Sequence, residues 1–488
     1  MLDVLIVGAG ISGISAACHL EQRCPDKSYA ILEGRDNLGG TWDLFRYPGI
    51  RSDSDMHTFG FGFKPWTNPK AISDGESIRQ YLEDTAKEFS VSDKIRYGHR
   101  VEAANWDSVR KLWVVSAVQA NGERVTIESR LLFMCSGYYD YAKGYTPDYP
   151  GLESFAGQLI HPQQWPEDLD YKGKKVAVIG SGATAVTIVP NMVEDAAALT
   201  MIQRSPTYLF SRPAKDALAN FLNAVLPDKW AFALTRWKNI TLQNFTYKTA
   251  RKKPEKIKKL LLKAVRKSLG EDFDIDTHFT PRYNPWEERL CLIPDDDFLT
   301  AVREKKVEMV TDTISRFEAG GVRLTSGKLV EADIVVSATG LNMQFMGGVK
   351  FTLDDVALDL SQRFYYQGMM FSEVPNLIQT FGYINASWTL RADLNSAFVC
   401  DLLKELDKRG AAVCTPKLRA SEKDMQPQAT IDGFNPGYMQ RGLHLFPKQG
   451  EHEPWRNTQD YLLDRKLLTP KLFDDSVLQF EPAEDAAA

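Results

Sequence analysis

Short continuous apolar runs, each followed by a glycine-rich turn and a stretch with helical spacing, recur along the chain. Residues 4–7 (VLIV) and 176–179 (VAVI) are such runs. Unbroken apolar runs are typical of strands that are buried on both faces of a parallel sheet. A strand, a tight turn and a helix in that order predict an α/β fold with two parallel, doubly wound units of the Rossmann-like type.

Two further apolar runs, residues 131–137 and 333–340, end in a small residue and a glycine. Glycine at the end of a strand marks a place where the chain turns sharply or passes close to a ligand. We interpret both runs as crossings between two domains. The first domain is then predicted to comprise residues 1–140 and 341–488, and the second residues 150–340.

The second domain carries a predicted helical insertion at about residues 209–281. Its first half is rich in aromatic residues and its second half in lysine and arginine. Residues 257–269 have helical spacing with lysines between the apolar positions, which predicts a solvated helical cap. A basic amphipathic helix also suits anionic lipid, so peripheral membrane contact is the alternative.

The tail, residues 481–488, is predicted to be disordered.

Composition narrows the class of protein. The net charge of -5 argues against nucleic acid as a partner. No apolar run is long enough to span a bilayer, and a first strand that begins at Asp3 leaves no room for a signal peptide. We therefore expect a cytoplasmic protein. Six cysteines without CxxC spacing and seven histidines without metal-ligand spacing predict buried thiols and no metal site.

The first glycine-rich turn, residues 8–13 (GAGISG), has the pattern of a dinucleotide-binding loop. Gly8, Gly10 and Gly13 let the backbone turn tightly and approach a pyrophosphate at the N-terminus of the next helix. Glu33 lies twenty residues past Gly13, at the end of the next predicted strand. A carboxylate there accepts hydrogen bonds from ribose hydroxyls and repels a 2′-phosphate. These features predict FAD at the first loop.

The second glycine-rich turn, residues 180–185 (GSGATA), has a different set of side chains downstream. The next predicted strand leads to Arg204 and Ser205, with no acid at the position that matches Glu33. An arginine and a hydroxyl suit the 2′-phosphate of NADP. The second loop is therefore predicted to bind NADPH, so the fold class becomes α/β with FAD and NADPH domains and a helical insertion.

Between the two loops, residues 155–166 have the pattern FxGxxxHxxxWP. This pattern resembles the fingerprint of the flavin-dependent Baeyer–Villiger monooxygenases. Related flavin monooxygenases that oxygenate nitrogen and sulfur have a similar pattern without the Trp-Pro ending. Residues 39–55 and 283–294 also look like flavin-facing stretches of this family. We expect His161 and Trp165 of the fingerprint to have a structural and positional role.

The resemblance implies an NADPH- and oxygen-dependent enzyme that converts ketones to esters or lactones through a C4a-peroxyflavin. Oxidation of sulfides and thioamides at sulfur is implied as a second activity. The small-molecule substrate is then a ketone or a sulfide, together with dioxygen. An enzyme that mainly oxygenates sulfur or nitrogen is the nearest alternative.

The catalytic residues are also implied by the resemblance. Arg289 matches the cation that stabilises negative charge during oxygen transfer, because an arginine does not lose its proton. Asp53 is the best candidate to orient Arg289, and Asp55 is the alternative. The competing cations are Arg282, Arg46 and Arg51.

Cofactor contacts carry over position by position from the family. Those to FAD, in addition to the glycines, are Ser12, Glu33, Thr41, Trp42, Asp43, Leu44, Asp53 and Val101. Arg51, Ser52 and Asp53 are expected near the nicotinamide of NADPH. The remaining NADPH contacts are expected at Gly180, Ser181, Gly182, Ala183, Thr184, Ala185, Val186, Arg204 and Ser205.

Two other classes use paired nucleotide folds. A flavoprotein disulfide reductase needs a redox pair of cysteines, and none has that spacing here. A redox sensor would bind both cofactors without consuming NADPH in the presence of substrate.

In the monooxygenase interpretation the nicotinamide coenzyme first donates a hydride as NADPH and later shields the flavin as NADP⁺. We therefore also expect the domains to shift at the crossings near Gly137 and Gly340.

Overall fold

The computed structural model describes residues 1–288 and 290–483. Arg289 and residues 484–488 lie outside the described residues. Within the described part, thirteen α-helices occur. They are α1 Ile11–Arg23, α2 Thr41–Leu44, α3 Met56–Phe59, α4 Gly75–Glu88, α5 Ala183–Met192, α6 Ala217–Val225, α7 Asp228–Lys252, α8 Pro254–Leu269, α9 Ile275–His278, α10 Asp297–Arg303, α11 Trp388–Arg409, α12 Gly437–Gly442 and α13 Tyr461–Leu467.

The larger sheet has nine strands and contains the first apolar run. Its strand Leu2–Val7 pairs in parallel with Tyr29–Leu32 on one side and with Arg124–Met134 on the other. Helices α1 and α11 pack against each other beside this sheet. The strands in spatial order are Val356–Ala357, Lys350–Leu353, His99–Asp107, Leu112–Gln119, Arg124–Met134, Leu2–Val7, Tyr29–Leu32 and Ile95–Arg96, with Leu377–Gln379 also paired to Arg124–Met134.

The second sheet has five strands, and all of its pairings are parallel. Helix α5 comes directly after the central strand, and its residues Val186, Ile188 and Val189 are buried. The strands in order are Glu308–Thr311, Ala198–Gln203, Lys175–Ile179, Ile334–Ser337 and Gln158–Ile160. The predicted α/β class with two Rossmann-like units is therefore confirmed, and the exact domain limits stay a prediction.

Smaller strands connect the two sheets and complete the fold. The crossing strands Tyr139–Gly144 and Leu341–Met343 pair antiparallel, so the two crossings lie side by side. The other small sheets are Tyr208–Arg212 with Leu290–Pro294, Ile314–Glu318 with Gly321–Leu324 and Leu329–Glu331, Tyr365–Tyr366 with Met370–Phe371, Ala411–Pro416 with Leu478–Pro482, and Gln428–Ala429 with Lys448–Gln449.

The C-terminal end corrects one expectation. Leu478–Pro482 is a strand paired with Ala411–Pro416, so the disorder predicted for residues 481–488 is wrong for Glu481 and Pro482. Backbone pairing to a partner far away in sequence orders these two residues, and local composition does not reveal such a partner. Residues 484–488 lie outside the described part of the chain.

Candidate active site

A large cavity of about 1480 Å³ lies between the two sheets, and both glycine-rich loops line it. A pocket for one drug-sized ligand has about 300–1,000 Å³, so this cavity has room for more than one such molecule. The predicted contacts that line it are Gly8, Gly10, Ser12, Glu33, Thr41, Trp42, Arg51, Ser52, Asp53, Val101, Gly180, Ser181, Gly182, Ala183, Thr184, Arg204 and Ser205.

Two positions of the first loop, Gly8 and Gly13, can only be occupied by glycine. Gly8 has a φ of +102°, and a Cβ atom there would lie 2.7 Å from the carbonyl oxygen of Cys135. A Cβ atom on Gly13 would lie 1.9 Å from the carbonyl oxygen of Gly8, so Gly13 permits the close contact between α1 and the strand. Gly10 is the N-cap of α1 and supplies no side-chain cap to its amides. The loop therefore fits a pyrophosphate at the N-terminus of α1.

Glu33 supports this loop from the adjacent strand. Its carboxylate accepts hydrogen bonds from the backbone amides of Ala9 at 2.7 Å and Arg35 at 3.0 Å. Burial raises the pKa of Glu33, while the two amide hydrogen bonds act in the opposite direction. A carboxylate offers about four lone pairs, so two backbone donors leave acceptor capacity for ribose hydroxyls.

The second loop repeats the same geometry. Gly180 has a φ of +137°, and a Cβ atom there would lie 2.3 Å from the carbonyl oxygen of Ala338. Gly182 is the N-cap of α5, again without a side-chain cap. Arg204 and Ser205 are exposed at the cavity, and the Ser181 hydroxyl donates to the Ser205 carbonyl at 2.8 Å. This arrangement fits a second dinucleotide whose 2′-phosphate would lie near Arg204.

Among the described residues, five predicted cofactor contacts do not line the cavity: Gly13, Asp43, Leu44, Ala185 and Val186. Asp43 is 2% exposed and forms ion pairs with Arg35 at 2.7 Å and Arg46 at 2.9 Å. Ala185 and Val186 are buried in the core of the second unit, and Leu44 packs against that core. These residues support the cavity wall from behind.

The two candidate aspartates occupy different positions. Asp55 is buried, caps α3 through the amide of Thr58 at 3.1 Å and accepts from Asn239 Nδ2 at 2.8 Å. Both aspartates line the cavity, and Asp53 is the one that is exposed there. Asp55 therefore has the role of a capping residue, and Asp53 is better placed to orient a cation in the cavity. Arg289, the predicted cation, lies outside the described residues.

The competing arginines differ in their partners. Arg46 pairs with Asp43, whereas Arg51 pairs with Asp297 on α10 at 2.5 Å. The Nη2 atom of Arg51 is buried without a hydrogen-bond partner among the described residues. Because Arg51 lines the cavity, this donor fits a polar group of a bound cofactor. Arg282 is exposed and lies outside the described lining of the cavity.

The fingerprint histidine joins the two crossings. His161 Nε2 donates to the Gly340 carbonyl at 3.0 Å, and Nδ1 accepts from the amide of Gln163 at 3.1 Å. Gln163 in turn donates to the carbonyl of Asp140 at 2.6 Å. Burial lowers the pKa of His161, and one donating and one accepting ring nitrogen match the neutral form. These contacts support the structural role expected for His161.

Several cavity residues make contacts that the sequence does not predict, although one of them, Glu288, lies in the flavin-facing stretch of residues 283–294. Trp388 donates to the Ser12 hydroxyl at 2.8 Å and stacks on Tyr138 with ring centroids 5.1 Å apart. Tyr141 contacts the Thr41 hydroxyl at 3.3 Å. Glu288 lines the cavity, where burial raises its pKa and Arg204 acts to lower it. The contacts of Trp388 with Ser12 and of Tyr141 with Thr41 join residues far apart in the chain, so no local spacing could have predicted them.

Residues 2–347 match the flavin-binding monooxygenase-like family. The chain therefore belongs to this family of flavin-binding monooxygenases. It is 49% identical to the FAD-containing monooxygenase EthA of Mycobacterium tuberculosis over 98% of this chain and 97% of that protein. It is 47% identical to the probable FAD-binding monooxygenase AlmA of Acinetobacter baylyi over 99% and 97%.

The fold also has solved counterparts. A steroid monooxygenase bound to NADP superposes with a TM-score of 0.80 at 21% identity, over 99% of this chain and 100% of that chain. A cyclohexanone monooxygenase with bound ε-caprolactone superposes with a TM-score of 0.77 at 18% identity, over 98% and 99%. At this identity the likeness establishes the shared two-unit architecture.

Proposed function

We propose that this flavin-binding monooxygenase uses FAD and NADPH to insert one oxygen atom of dioxygen beside a ketone carbonyl. A ketone, dioxygen, NADPH and a proton give an ester or lactone, NADP⁺ and water. When bound, FAD would supply the redox chemistry, namely acceptance of a hydride from NADPH and activation of dioxygen. The observation that carries the proposal is the opening of both glycine-rich loops into one cavity, since the two cofactors must meet.

Each loop is assigned one cofactor by the side chain beyond it. Glu33, held by the amides of Ala9 and Arg35, would bind the ribose of FAD and exclude a 2′-phosphate. Arg204 would bind the 2′-phosphate of NADPH as an exposed cation. The buried Nη2 of Arg51, unpartnered among the described residues, would donate to the nicotinamide end, and its neighbour Ser52 also lines the cavity.

The oxygen-transfer step needs a permanent positive charge, which we assign to Arg289. Negative charge develops on the substrate oxygen when a carbonyl is attacked, and a fixed guanidinium stabilises it. Asp53 is the residue we assign to orient that guanidinium. The assignment favours Asp53 over Asp55 because Asp55 already caps α3 and accepts from Asn239.

The same activated oxygen oxidises sulfur in sulfides and thioamides, which we propose as a second activity. An enzyme that mainly oxygenates sulfur or nitrogen is the competing function. The Trp165-Pro166 ending of the fingerprint favours ketone oxygenation, since this ending is part of the resemblance to the Baeyer–Villiger monooxygenases.

The deciding experiment supplies the holoenzyme with NADPH, a cyclic ketone and isotopically labelled dioxygen. Lactone that carries one labelled oxygen atom supports the proposal. Sulfoxide formation from an aryl sulfide without any lactone from the ketone would favour the competing function. NADPH consumption that yields only hydrogen peroxide with both substrates would overturn both functions.

Arg289→Ala tests the assigned cation, and Arg282→Ala is its matched control because Arg282 is exposed outside the described cavity lining. Loss of one preorganised charge typically costs about 10²–10³ in rate. We expect that loss in lactone formation for Arg289→Ala and none for Arg282→Ala. Equal rates in the two variants would contradict the assignment.

A further inference from the structure

Helices α6 and α7 carry an exposed apolar surface, which we call the outer face. On α7 the side chains of Trp230, Trp237 and Phe245 are 68%, 67% and 68% exposed. The remaining members of the outer face are Leu218, Phe221 and Val225 of α6 and Leu234 and Leu242 of α7, which are 44–60% exposed.

The outer face is continuous along α7. Trp230, Leu234, Trp237 and Phe245 have helical spacing, so they form one stripe about 22 Å long at 1.5 Å per residue. The opposite side of α7 is buried, for example at Phe232. A helix that lies between a protein core and water normally has a polar outer side. An apolar outer side therefore indicates a surface that is covered in use.

Charge identifies the kind of surface that would cover it. Residues 217–269 contain thirteen lysines and arginines but only two acidic residues, in a chain whose net charge is -5. The exposed side of α8 contributes Lys256, Lys259, Lys263 and Lys267. Aromatic side chains beside a lysine-rich helix match the boundary between headgroups and acyl chains of an anionic bilayer.

We propose that the outer face of α6 and α7 docks on an anionic phospholipid surface. Its aromatic side chains enter the boundary region, and the lysines of α8 face the lipid phosphates. Among the helices of the described residues, none is sufficiently long and apolar to cross a membrane. The contact is therefore peripheral.

The docked orientation would also bring the cavity mouth to the lipid. Leu242 and Leu260 are 60% and 62% exposed and line the cavity as well. Together with Phe210, which is 44% exposed at the same cavity, they extend an apolar path from the outer face inward. An apolar substrate dissolved in the bilayer could then enter without crossing water. This consequence rests on the proposed function, whereas the docking itself does not.

Flotation of the holoprotein with vesicles tests the docking without any substrate. The vesicles contain either equal parts of phosphatidylglycerol and phosphatidylcholine or phosphatidylcholine alone. The aromatic variant is Trp230→Gln/Trp237→Gln/Phe245→Gln, and the lysine variant is Lys256→Gln/Lys259→Gln/Lys263→Gln. The matched control is Val109→Gln/Val356→Gln, since these valines are 76% and 70% exposed on other parts of the molecule.

We expect the wild type to float with the anionic vesicles and the control to float equally. Partitioning of the aromatic variant should fall at least about tenfold, because each interfacial side chain loses its apolar contact, and the lysine variant should also fall. Circular dichroism checks that every variant is folded. The proposal is overturned if the aromatic variant partitions like the wild type. It is likewise overturned if the wild type does not float with the anionic vesicles. A dimer in light scattering that the aromatic variant lacks would then identify a second copy of the chain as the partner.

Discussion

Replacing Asp464 by asparagine tests a buried ion pair behind the cavity wall. The side chains of Asp464 and Arg391 are 2% and 4% exposed, and they pair at 2.5 Å. The hydroxyl of Tyr383, which lines the cavity, donates to the same carboxylate oxygen at 2.6 Å. Asp464→Asn leaves the Arg391 guanidinium buried without its counter-charge, which costs about 3–5 kcal/mol. That is a large share of the about 5–15 kcal/mol that stabilises a typical folded protein.

Urea unfolding followed by tryptophan fluorescence measures this loss as a lower midpoint. The control is Glu331→Gln, because Glu331 and Lys175 form an ion pair at 2.5 Å with side chains that are 63% and 51% exposed. Solvent screens such a pair, so the midpoint of the control should not move. A loss below about 1 kcal/mol for Asp464→Asn would refute the reasoning, since Arg391 would then have found another way to compensate its charge.

Three further predictions concern the cofactor loops and pH. Gly180→Ala should weaken NADPH binding and leave FAD content unchanged, because the new Cβ atom would meet the Ala338 carbonyl oxygen at 2.3 Å; titration of the FAD-loaded protein with NADP⁺ measures this, and lost FAD would contradict it. Arg204→Ala should raise the KM for NADPH at least about tenfold and leave that for NADH unchanged; steady-state kinetics with both coenzymes test it, and equal effects on both would contradict it. Burial first, and then the nearby Asp464, raise the pKa of Glu453 from 4.5 to about 7, so the folded state binds the extra proton and the wild type loses stability as the pH rises through this range. Because the carboxyl is partly exposed, Glu453→Gln should be more stable than the wild type by about 1–2 kcal/mol above pH 7 and equal to it below pH 4.5; unfolding midpoints across this range measure the difference, and a constant difference would contradict it.

The parts of this site that can be predicted are those encoded by adjacent residues. Both glycine-rich loops are recognisable because a strand, a turn and a helix succeed one another directly in the chain. The two crossings can also be predicted, because the apolar runs of residues 131–137 and 333–340 each end directly in a glycine. In the structure these crossings pair with each other in the strands Tyr139–Gly144 and Leu341–Met343.

The rest of the site depends on contacts that are distant in sequence. Ser12 meets Trp388 across 376 residues, and no local pattern at either position indicates the other. Asp43 is expected at the cofactor, but the fold directs its carboxylate to Arg35 and Arg46. The exposure of the outer face on α7 cannot be predicted from the sequence either. An aromatic-rich helical stretch looks the same in sequence whether its aromatic side is buried or exposed.

The fingerprint between the two loops is recognisable from adjacent residues, but it also contacts residues that are distant in sequence. The hydrogen bonds of His161 include those with the Gly340 carbonyl and the Gln163 amide, and neither of these partners belongs to a glycine-rich loop. A Cβ atom on Gly144 would lie 2.0 Å from the His161 ring, so the first crossing must have glycine where the ring packs. The neutral imidazole donates to the second crossing and packs against the first, so one side chain contacts both crossings. From these contacts we predict that the fingerprint helps to set how the two nucleotide-binding units face each other around the common cavity.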